Sequence, residues 1–338
     1  MRRSDANDTV RRREFITLLG GAAAWPLAAR AQQPTRLPVV ALVFGAAPVA
    51  DMAGADPVNR VARAFVRAMH EFGWIDGQTV VIERRTAEGN PRRAPILFAD
   101  LLARGVDVIV LASARWLHEA AQQATRTVPI VADFQDDPVA AGLIASLARP
   151  GGNLTGVTST SGPEFDAKRL QLLQELAPNI TRTAFLATRD VLEQHRSVAR
   201  PAGMTVVPVL VDAVEQYEEA FATTLRERAD ALMVSSSPLN YNYARRIVAF
   251  ASNNKLPAMY AFREAVAFGG LMCYGASIAG NFRQAARLVD RILKGARVGE
   301  LPTEQPTTFE FVINLKTAKA LGLDVPDKLL VAADEVIE

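Results

Sequence analysis

The sequence is short of the side chains from which most metal and covalent reaction centres are built. It has one cysteine, Cys273, so no disulfide can form within the chain, and the apolar run around it predicts a buried side chain. Its three histidines, His70, His118 and His195, stand singly, without the spacing of a metal site. The sequence therefore predicts no metal, and packing or surface roles for the histidines.

Motifs for cofactors and covalent catalysis are absent as well. Phe44-Gly45-Ala46-Ala47-Pro48 follows the first predicted strand, where a dinucleotide-binding protein has Gly-x-Gly-x-x-Gly. The phosphate-binding Gly-x-x-x-x-Gly-Lys-Ser/Thr does not occur, and no serine lies in a Gly-x-Ser-x-Gly elbow. These absences predict a protein with no cofactor that is not an enzyme, although an exported α/β enzyme stays open as an alternative.

The N-terminus has the three parts of a secretory signal. Arg11-Arg12-Arg13 before Glu14-Phe15-Ile16 gives the twin-arginine form, and the apolar stretch that follows is shorter than the ~20 residues of a membrane-spanning helix. Ala29-Arg30-Ala31 supplies a small-residue cleavage site. The sequence predicts a signal peptide over residues 1–31 and a free, soluble periplasmic protein. A basic tail before an anchor helix is the alternative interpretation.

The chain that remains after cleavage has little net charge. The signal takes six arginines and three acidic residues from totals of 38 basic and 36 acidic, which leaves 32 basic and 33 acidic. A near-neutral protein has no electrostatic basis for binding nucleic acid or an anionic membrane. We therefore expect no nucleic-acid partner. A small-molecule ligand and a monomeric state are further expectations.

Hydrophobic patterning predicts an α/β fold. Short runs rich in Val and Ile alternate with amphipathic segments of roughly ten to fifteen residues, which is typical of βαβ units and parallel sheets. The predicted strands are Val39–Phe44, Thr79–Glu83, Val108–Leu111, Ile130–Phe134, Ala184–Ala187, Val206–Val209, Ala231–Val234 and Ala258–Tyr260, and the predicted helices include Val58–Phe72, Ile96–Ala103 and Pro138–Ala148. The roughly 300 remaining residues exceed the usual size of one core, which favours two domains.

A partial internal match supports two similar halves. Residues 104–113 resemble residues 227–236, and after a helix Val128-Pro129-Ile130 or Leu256-Pro257-Ala258 opens the next strand. Shared composition is the alternative explanation. The match predicts two doubly wound, Rossmann-like lobes with a hinge. Because ligands of such sheets bind outside the carboxyl ends of the strands, two facing lobes enclose one cleft, as in type I periplasmic binding proteins.

Residues at the predicted strand ends are the candidate ligand contacts. Hydroxyls and helix N-termini at Ser113 and Ser236, with the charge of Arg115, would suit a carboxylate, while Asp133 would suit an ammonium group. The complete predicted set is Gly45, Ala46, Ser113, Ala114, Arg115, Asp133, Phe134, Arg189, Ser236, Ser237, Asn240, Tyr241, Phe262 and Tyr274. Helix capping by the serines, and core packing by the aromatic residues, are the alternatives. Asp136 or Asp137 before Pro138 is interpreted as a helix cap, and a general base or a cation contact in this acidic cluster is the alternative.

Five stretches of the chain carry a family resemblance: Phe72–Gln78, Asp137–Leu143, Leu147–Gly156, Gly269–Gly275 and Leu301–Leu323. They resemble one family of ABC-transporter solute-binding proteins, some of whose members are similar to tryptophan-binding and other amino-acid-binding proteins. The resemblance implies that a hinge closes the lobes over a ligand and that a membrane permease recognises the closed form. It also implies that the helix Ala279–Lys294 returns to lobe 1, residues 37–157 plus 278–307, and that lobe 2 is residues 158–277 plus 308–338.

The sequence departs from that family where ligands should touch. Ser113-Ala114-Arg115-Trp116 stands in place of a Gly-Thr-Pro-like turn, and Ala187-Thr188-Arg189-Asp190 stands where Asn-Pro is common. The ligand of a relative is therefore not assumed for this chain. An exported input protein for a signalling receptor is the alternative function. A transcription regulator with the same lobes needs a DNA-binding helix-turn-helix where the signal lies.

Overall fold

The computed structural model describes residues 36–112, 115–135, 137–159, 163–194 and 203–338 of the chain. Residues 38–338 form one compact unit. The predicted signal peptide, residues 1–31, lies outside the described residues. No helix in the described part of the chain is both long enough and apolar enough to span a membrane.

The first sheet is parallel, with the strand order β2-β1-β3-β4-β5. Its strands are β1 (Val39–Phe44), β2 (Val81–Thr86), β3 (Val108–Ala112), β4 (Ile130–Phe134) and β5 (Leu154–Thr158), and its connecting helices are α1 (Arg60–Glu71), α2 (Ala94–Ala103) and α3 (Arg115–Ala124). Every residue of β3, β4 and β5 is buried, because helices cover both faces of a parallel sheet.

The second sheet has the order β12-β11-β10-β9-β8-β6-β7 and is parallel except for the antiparallel pair β10 and β11. Its strands are β6 (Arg182–Ala187), β7 (Thr205–Leu210), β8 (Ala231–Val234), β9 (Ala258–Tyr260), β10 (Met272–Ala276), β11 (Phe309–Asn314) and β12 (Glu335–Ile337). The later helices are α4 (Pro163–Leu176), α5 (Arg189–Gln194), α6 (Tyr217–Arg226), α7 (Pro238–Asn242), α8 (Ala244–Asn253), α9 (Arg263–Ala267), α10 (Ile278–Leu293), α11 (Leu315–Ala320) and α12 (Asp327–Ala332).

The two sheets repeat one topology. The order β2-β1-β3-β4 in the first corresponds to β7-β6-β8-β9 in the second. The same hydrogen bond occurs at the start of β1 and of β6. The Asp107 carboxylate accepts the Val39 N–H at 2.7 Å, and the Asp230 carboxylate accepts the Arg182 N–H at 2.9 Å. The internal match in the sequence therefore reflects equivalent strands, and the predicted fold of two doubly wound α/β lobes is confirmed.

Helix α10 connects the two sheets. It follows β10 of the second sheet, yet Phe282, Leu288 and Val289 share a buried cluster with Phe65 and Met69 of α1 on the first. The chain thus passes between the sheets after β5, after β10 and again before β11. The lobe boundaries given above stay a prediction.

The predicted helix Pro138–Ala148 is wrong. The segment makes a single turn, in which the Leu143 N–H bonds to the Pro138 carbonyl, and then continues as bends. Gly142 has a φ of 70°, a left-handed conformation that ends a helical turn. The apolar residues of the segment still pack, since Ile144 is buried against the first sheet. The hydrophobic pattern therefore predicted burial correctly, but Gly142 prevents the helix.

Other predicted elements shift or were missed. Strand β2 begins at Val81 rather than Thr79, because the Thr79 hydroxyl bonds to Gly73 and Ile75 in a turn. The patterning did not identify β5, β10, β11 or β12. Strand β5 contains Gly156, where a Cβ would lie 1.8 Å from the Ala132 carbonyl oxygen. The close approach of β4 therefore requires a glycine, and a glycine weakens the sequence pattern of a strand.

Candidate functional site

A cavity of about 370 Å³ lies at the carboxyl ends of the strands of the first sheet, beneath α7 of the second. It is lined by Phe44, Gly45, Ala46, Ala47, Asn59, Val61, Gly89, Ala112, Trp116, Asp133, Gln135, Tyr241, Asn242, Ile278 and Phe282. Asn59 caps α1 by accepting the Ala62 N–H at 3.0 Å, which fixes that wall. The position is where open α/β sheets bind ligands.

Asp133 is the charged side chain of this cavity. It is 2 % exposed, and its Oδ1 accepts hydrogen bonds from the Ser159 hydroxyl at 2.5 Å and the Asn281 amide at 3.0 Å. Its Oδ2 is buried and has no hydrogen-bond partner among the described residues. Burial raises the pKa of the Asp133 carboxyl to about 6, although both hydrogen bonds lower it. The unpartnered oxygen calls for a donor, because a buried acceptor without one is costly.

Gln135 provides a second acceptor in the same cavity. It is 7 % exposed, and its Oε1 also lacks a partner in the part of the chain that the structure describes. Gln135 was not among the predicted contacts, although the alternation of side chains along a strand places it on the same face as Asp133. An ammonium group carries three N–H donors and a positive charge, so it matches two buried acceptors of which one is a carboxylate.

Aromatic rings form the apolar walls of the cavity. Phe44 and Phe282 stack with their centroids 6.2 Å apart, and the Tyr241 ring meets the edge of Phe262 at 5.2 Å. Burial raises the pKa of the Tyr241 phenol far above its usual value, so this hydroxyl stays neutral. Together with Trp116, these faces suit the apolar part of a ligand whose charged end lies at Asp133.

The structure brings several predicted contacts to this place. Gly45, Ala46, Asp133 and Tyr241 line the cavity. Ser236, Ser237 and Phe262 line a smaller recess beside it, which also includes Gln135 and Tyr241. Ser113 and Ala114, predicted to bind a carboxylate, lie outside the described residues.

The remaining predicted contacts lie elsewhere. Arg115 lines a separate small recess with Phe134 and pairs with Glu119 at 2.9 Å on the helix surface. Arg189 is an exposed partner of Asp212. Tyr274 stacks on Phe309, away from the cavity. The carboxylate contact expected from Arg115 is therefore not placed at the main cavity, because the side chain leaves α3 toward solvent.

Asn240 holds the second sheet together rather than facing the cavity. Its side chain is fully buried, donates to the Leu186 and Ser235 carbonyls at 3.3 and 3.2 Å, and accepts the Tyr217 hydroxyl at 2.9 Å. Ser237 caps α7 by accepting the Asn240 N–H at 3.1 Å. These bonds use the polar groups internally, so Asn240 belongs to the scaffold.

Other polar residues singled out in the sequence have structural roles. The Asp137 carboxylate accepts the Val139 and Ala140 N–H groups at 2.8 and 3.2 Å, as a cap does. Cys273 is buried, which raises the pKa of its thiol to about 12, and burial lowers the pKa of His118 to about 4. Within the described ranges, no three His, Cys, Asp or Glu side chains form a metal-binding group.

Comparison with known proteins identifies similar chains. A family model described as ABC transporter substrate binding protein matches residues 49–337. A tyrosine-binding protein of Clostridioides difficile (strain R20291) is 25 % identical over 278 residues, covering 79 % of this chain and 77 % of that protein.

Solved structures show the same fold. An ABC domain in complex with L-Trp from Streptococcus pneumonia has a TM-score of 0.75 and 23 % identity, covering 89 % of this chain and 100 % of that one. A ligand-free, open substrate binding protein with adhesive properties from Clostridium difficile has a TM-score of 0.68 and 21 % identity, covering 89 % and 99 %.

Proposed function

Because this chain belongs to the family of ABC transporter substrate-binding proteins, we propose that it captures an amino acid between its two sheets and delivers it to the permease of an importer. The family consists of binding proteins rather than enzymes. Export by the twin-arginine signal, action in the periplasm and a monomeric state are parts of the same proposal. They rest on the sequence of residues 1–31 and on the family.

The observation that carries the proposal is the Asp133 carboxylate with one buried oxygen to spare. Asp133 Oδ2 and Gln135 Oε1 are both buried at the cavity without partners among the residues described. A ligand ammonium would neutralise the buried charge and supply both donors in one group. A neutral sugar would supply hydroxyl donors but no compensating charge.

The remainder of the cavity suits the other parts of an amino acid. The loop Gly45–Ala47 and the start of α3 border it, and the N-terminus of a helix favours an anionic group such as a carboxylate. Phe44, Trp116 and Tyr241 offer ring faces to a large side chain. The ligands in the names of the relatives, tyrosine and L-Trp, have this combination of groups.

Isothermal titration and thermal shift of residues 32–338 test the proposal. The panel holds each L-amino acid, the amine left by its decarboxylation and the acid left by its deamination. We expect an amino acid to bind, its amine to bind more weakly and its deaminated acid not to bind. A ligand at about 100 times its dissociation constant adds about 2.7 kcal/mol to the unfolding free energy. Binding of neutral sugars alone, or equal binding of the deaminated acid, contradicts the proposal.

A further inference from the structure

We propose that Ser159 and Asn281 are positioning residues, which hold the Asp133 carboxylate for the ligand ammonium from two places where the chain passes between the sheets. This inference rests on the proposed function, because it deepens the role of Asp133. Neither residue was singled out in the sequence. They lie 26 and 148 positions from Asp133, and only the fold brings them together.

The three side chains form a closed network around one oxygen. The Ser159 hydroxyl donates to Asp133 Oδ1 at 2.5 Å, and Asn281 Nδ2 donates to the same oxygen at 3.0 Å and to the Ser159 hydroxyl at 2.6 Å. Both donors therefore act on Oδ1. The arrangement fixes the carboxyl plane and leaves Oδ2, the oxygen without a partner among the described residues, available at the cavity.

The amide of Asn281 has little other use in the structure. Its side chain is 1 % exposed, and its oxygen is buried without a donor in the described part of the chain. Apart from this network, Nδ2 reaches the Thr158 carbonyl at 3.4 Å. A leucine of similar size would pack in such a place without an unpartnered oxygen, so the polar side chain is explained by its bond to Asp133.

Both donors lie beside chain crossings. Ser159 follows β5 of the first sheet and precedes α4, which packs on the second. Asn281 is in the first turn of α10, immediately after β10 and the cap residue Ser277. Movement of one sheet against the other must bend the chain at such crossings. The carboxylate that would bind the ligand is thus bonded to the segments that have to move.

The effect of the two hydrogen bonds can be measured as a change in the pKa of the Asp133 carboxyl. Both lower the pKa of the Asp133 carboxyl against the effect of burial. Strand β5 carries no titratable side chain, and His118 of α3 packs on Phe134. Tyr241 of α7 faces Asp133 with a neutral phenol, while on α10 the side chains of Arg283 and Arg287 pair with Glu71 and Glu304. Loss of either hydrogen bond should therefore raise the pKa of Asp133.

The test uses Ser159→Ala and Asn281→Leu with Thr155→Val as the matched control. Thr155 is on β5 and fully buried, and its hydroxyl donates to the Leu301 carbonyl at 2.8 Å rather than to Asp133. Carbon-13 NMR of the aspartate carboxyl carbons follows the Asp133 titration in the ligand-free protein. Titration calorimetry with L-tyrosine and L-tryptophan follows affinity from pH 6 to 9.

We expect the Asp133 midpoint to move to higher pH in both variants and not in the control. Relative to the wild type at the same pH, the affinity of each variant should be roughly tenfold lower at pH 7 and closer to the wild-type value at pH 9. At the higher pH the Asp133 carboxyl ionises even without its donors. An unmoved midpoint in both variants overturns the inference, as does an affinity loss equal at every pH. If the midpoint moves in the variants but the wild-type protein binds no amino acid, the positioning is supported and the proposed function is overturned instead. Ser159→Ala carries the test should Asn281→Leu not fold.

Discussion

The carboxyl ends of β4 and β9 hold equivalent places in the two sheets but carry different chemistry. Val131 pairs with Val110 as Met259 pairs with Met233, which aligns Asp133 with Ala261. At the end of β4, two buried acceptors lack partners among the described residues. At the neighbouring end of β8, Asn240 uses its side chain on the backbone and on Tyr217.

This difference shows how one repeated topology serves two purposes. The first sheet presents unsatisfied polar groups, which destabilise the empty protein and favour a ligand that supplies donors. On the second sheet, Asn240 uses its polar side chain within the scaffold, and α7 covers the cavity with Tyr241 and Asn242. Substitutions on the two sides should therefore separate affinity from stability.

The largest expected effect is on affinity at Asp133. Asp133→Asn keeps the size of the side chain but removes the charge that we propose binds a ligand ammonium, so we expect at least a 100-fold loss of amino-acid affinity by titration calorimetry. Hydrogen bonds to charged groups lose about 1.5–3 kcal/mol when broken, and a buried charge pair more. Affinity retained within fivefold would place the ligand elsewhere.

A second expected effect concerns stability and pH in the ligand-free protein. Since the folded pKa of Asp133, about 6, lies above the ordinary value of 3.8, the folded state binds more protons between these pH values. The unfolding free energy of the wild type should therefore fall relative to Asp133→Asn as pH rises from 4 to 7, by up to about 3 kcal/mol. Urea denaturation at each pH measures it, and a difference that does not change with pH contradicts the raised pKa.

Asn240→Ala should lower the stability of the protein and leave its affinity nearly unchanged, whereas Asp133→Asn mainly lowers affinity. It leaves the Leu186 and Ser235 carbonyls and the Tyr217 hydroxyl without their partner, so we expect a loss of about 2 kcal/mol in unfolding free energy. Amino-acid affinity should stay within threefold, because the side chain does not line the cavity. A large affinity loss with unchanged stability would mean that the second sheet also recognises the ligand.

The next prediction concerns Tyr241, with which α7 covers the cavity. Tyr241→Ala removes a ring that lines the cavity and packs on Phe262, and we expect roughly a tenfold loss of affinity for an amino acid with a large side chain. Tyr241→Phe is the control and should retain most of the affinity. The same loss for alanine as for tryptophan would show that the ring does not contact the side chain of the ligand.

The smallest effect is expected at the two arginines predicted from the sequence. Arg115→Ala and Arg189→Ala remove exposed ion pairs with Glu119 and Asp212, each worth at most about 1 kcal/mol. Affinity should change by less than twofold in both. A tenfold loss in Arg115→Ala would restore the carboxylate contact expected from its position after β3.

Much of the fold was predictable because parallel strands buried on both faces have nearly continuous apolar sequences. The bounds of β1, β4, β8 and β9 agree with the predicted strands. Two of the failures lie at a glycine, Gly142 in the supposed helix after β4 and Gly156 in β5. At Gly142 the left-handed backbone conformation determined the local structure, and at Gly156 the close approach of the neighbouring strand did. Neither feature produces a hydrophobic pattern in the sequence.

The site was predictable only in part. Asp133 stood out as a carboxylate at a strand end, and Gln135 follows it on the same face. Arg115 also stood at a strand end, but its side chain turns to Glu119. Position along a strand locates a residue near the cleft without fixing the direction of a long, flexible side chain, and that direction depends on its neighbours in space.

The sequence by itself determined the α/β class, the repeat of one topology and the carboxylate of the site, because these depend on local patterning and on residue type. The tertiary structure alone decided that Ser159 and Asn281 share one oxygen of Asp133 and leave the other at the cavity. Hydrogen bonds between residues far apart in the chain depend on how the crossings fold back on the sheet. No periodicity in the sequence records that geometry.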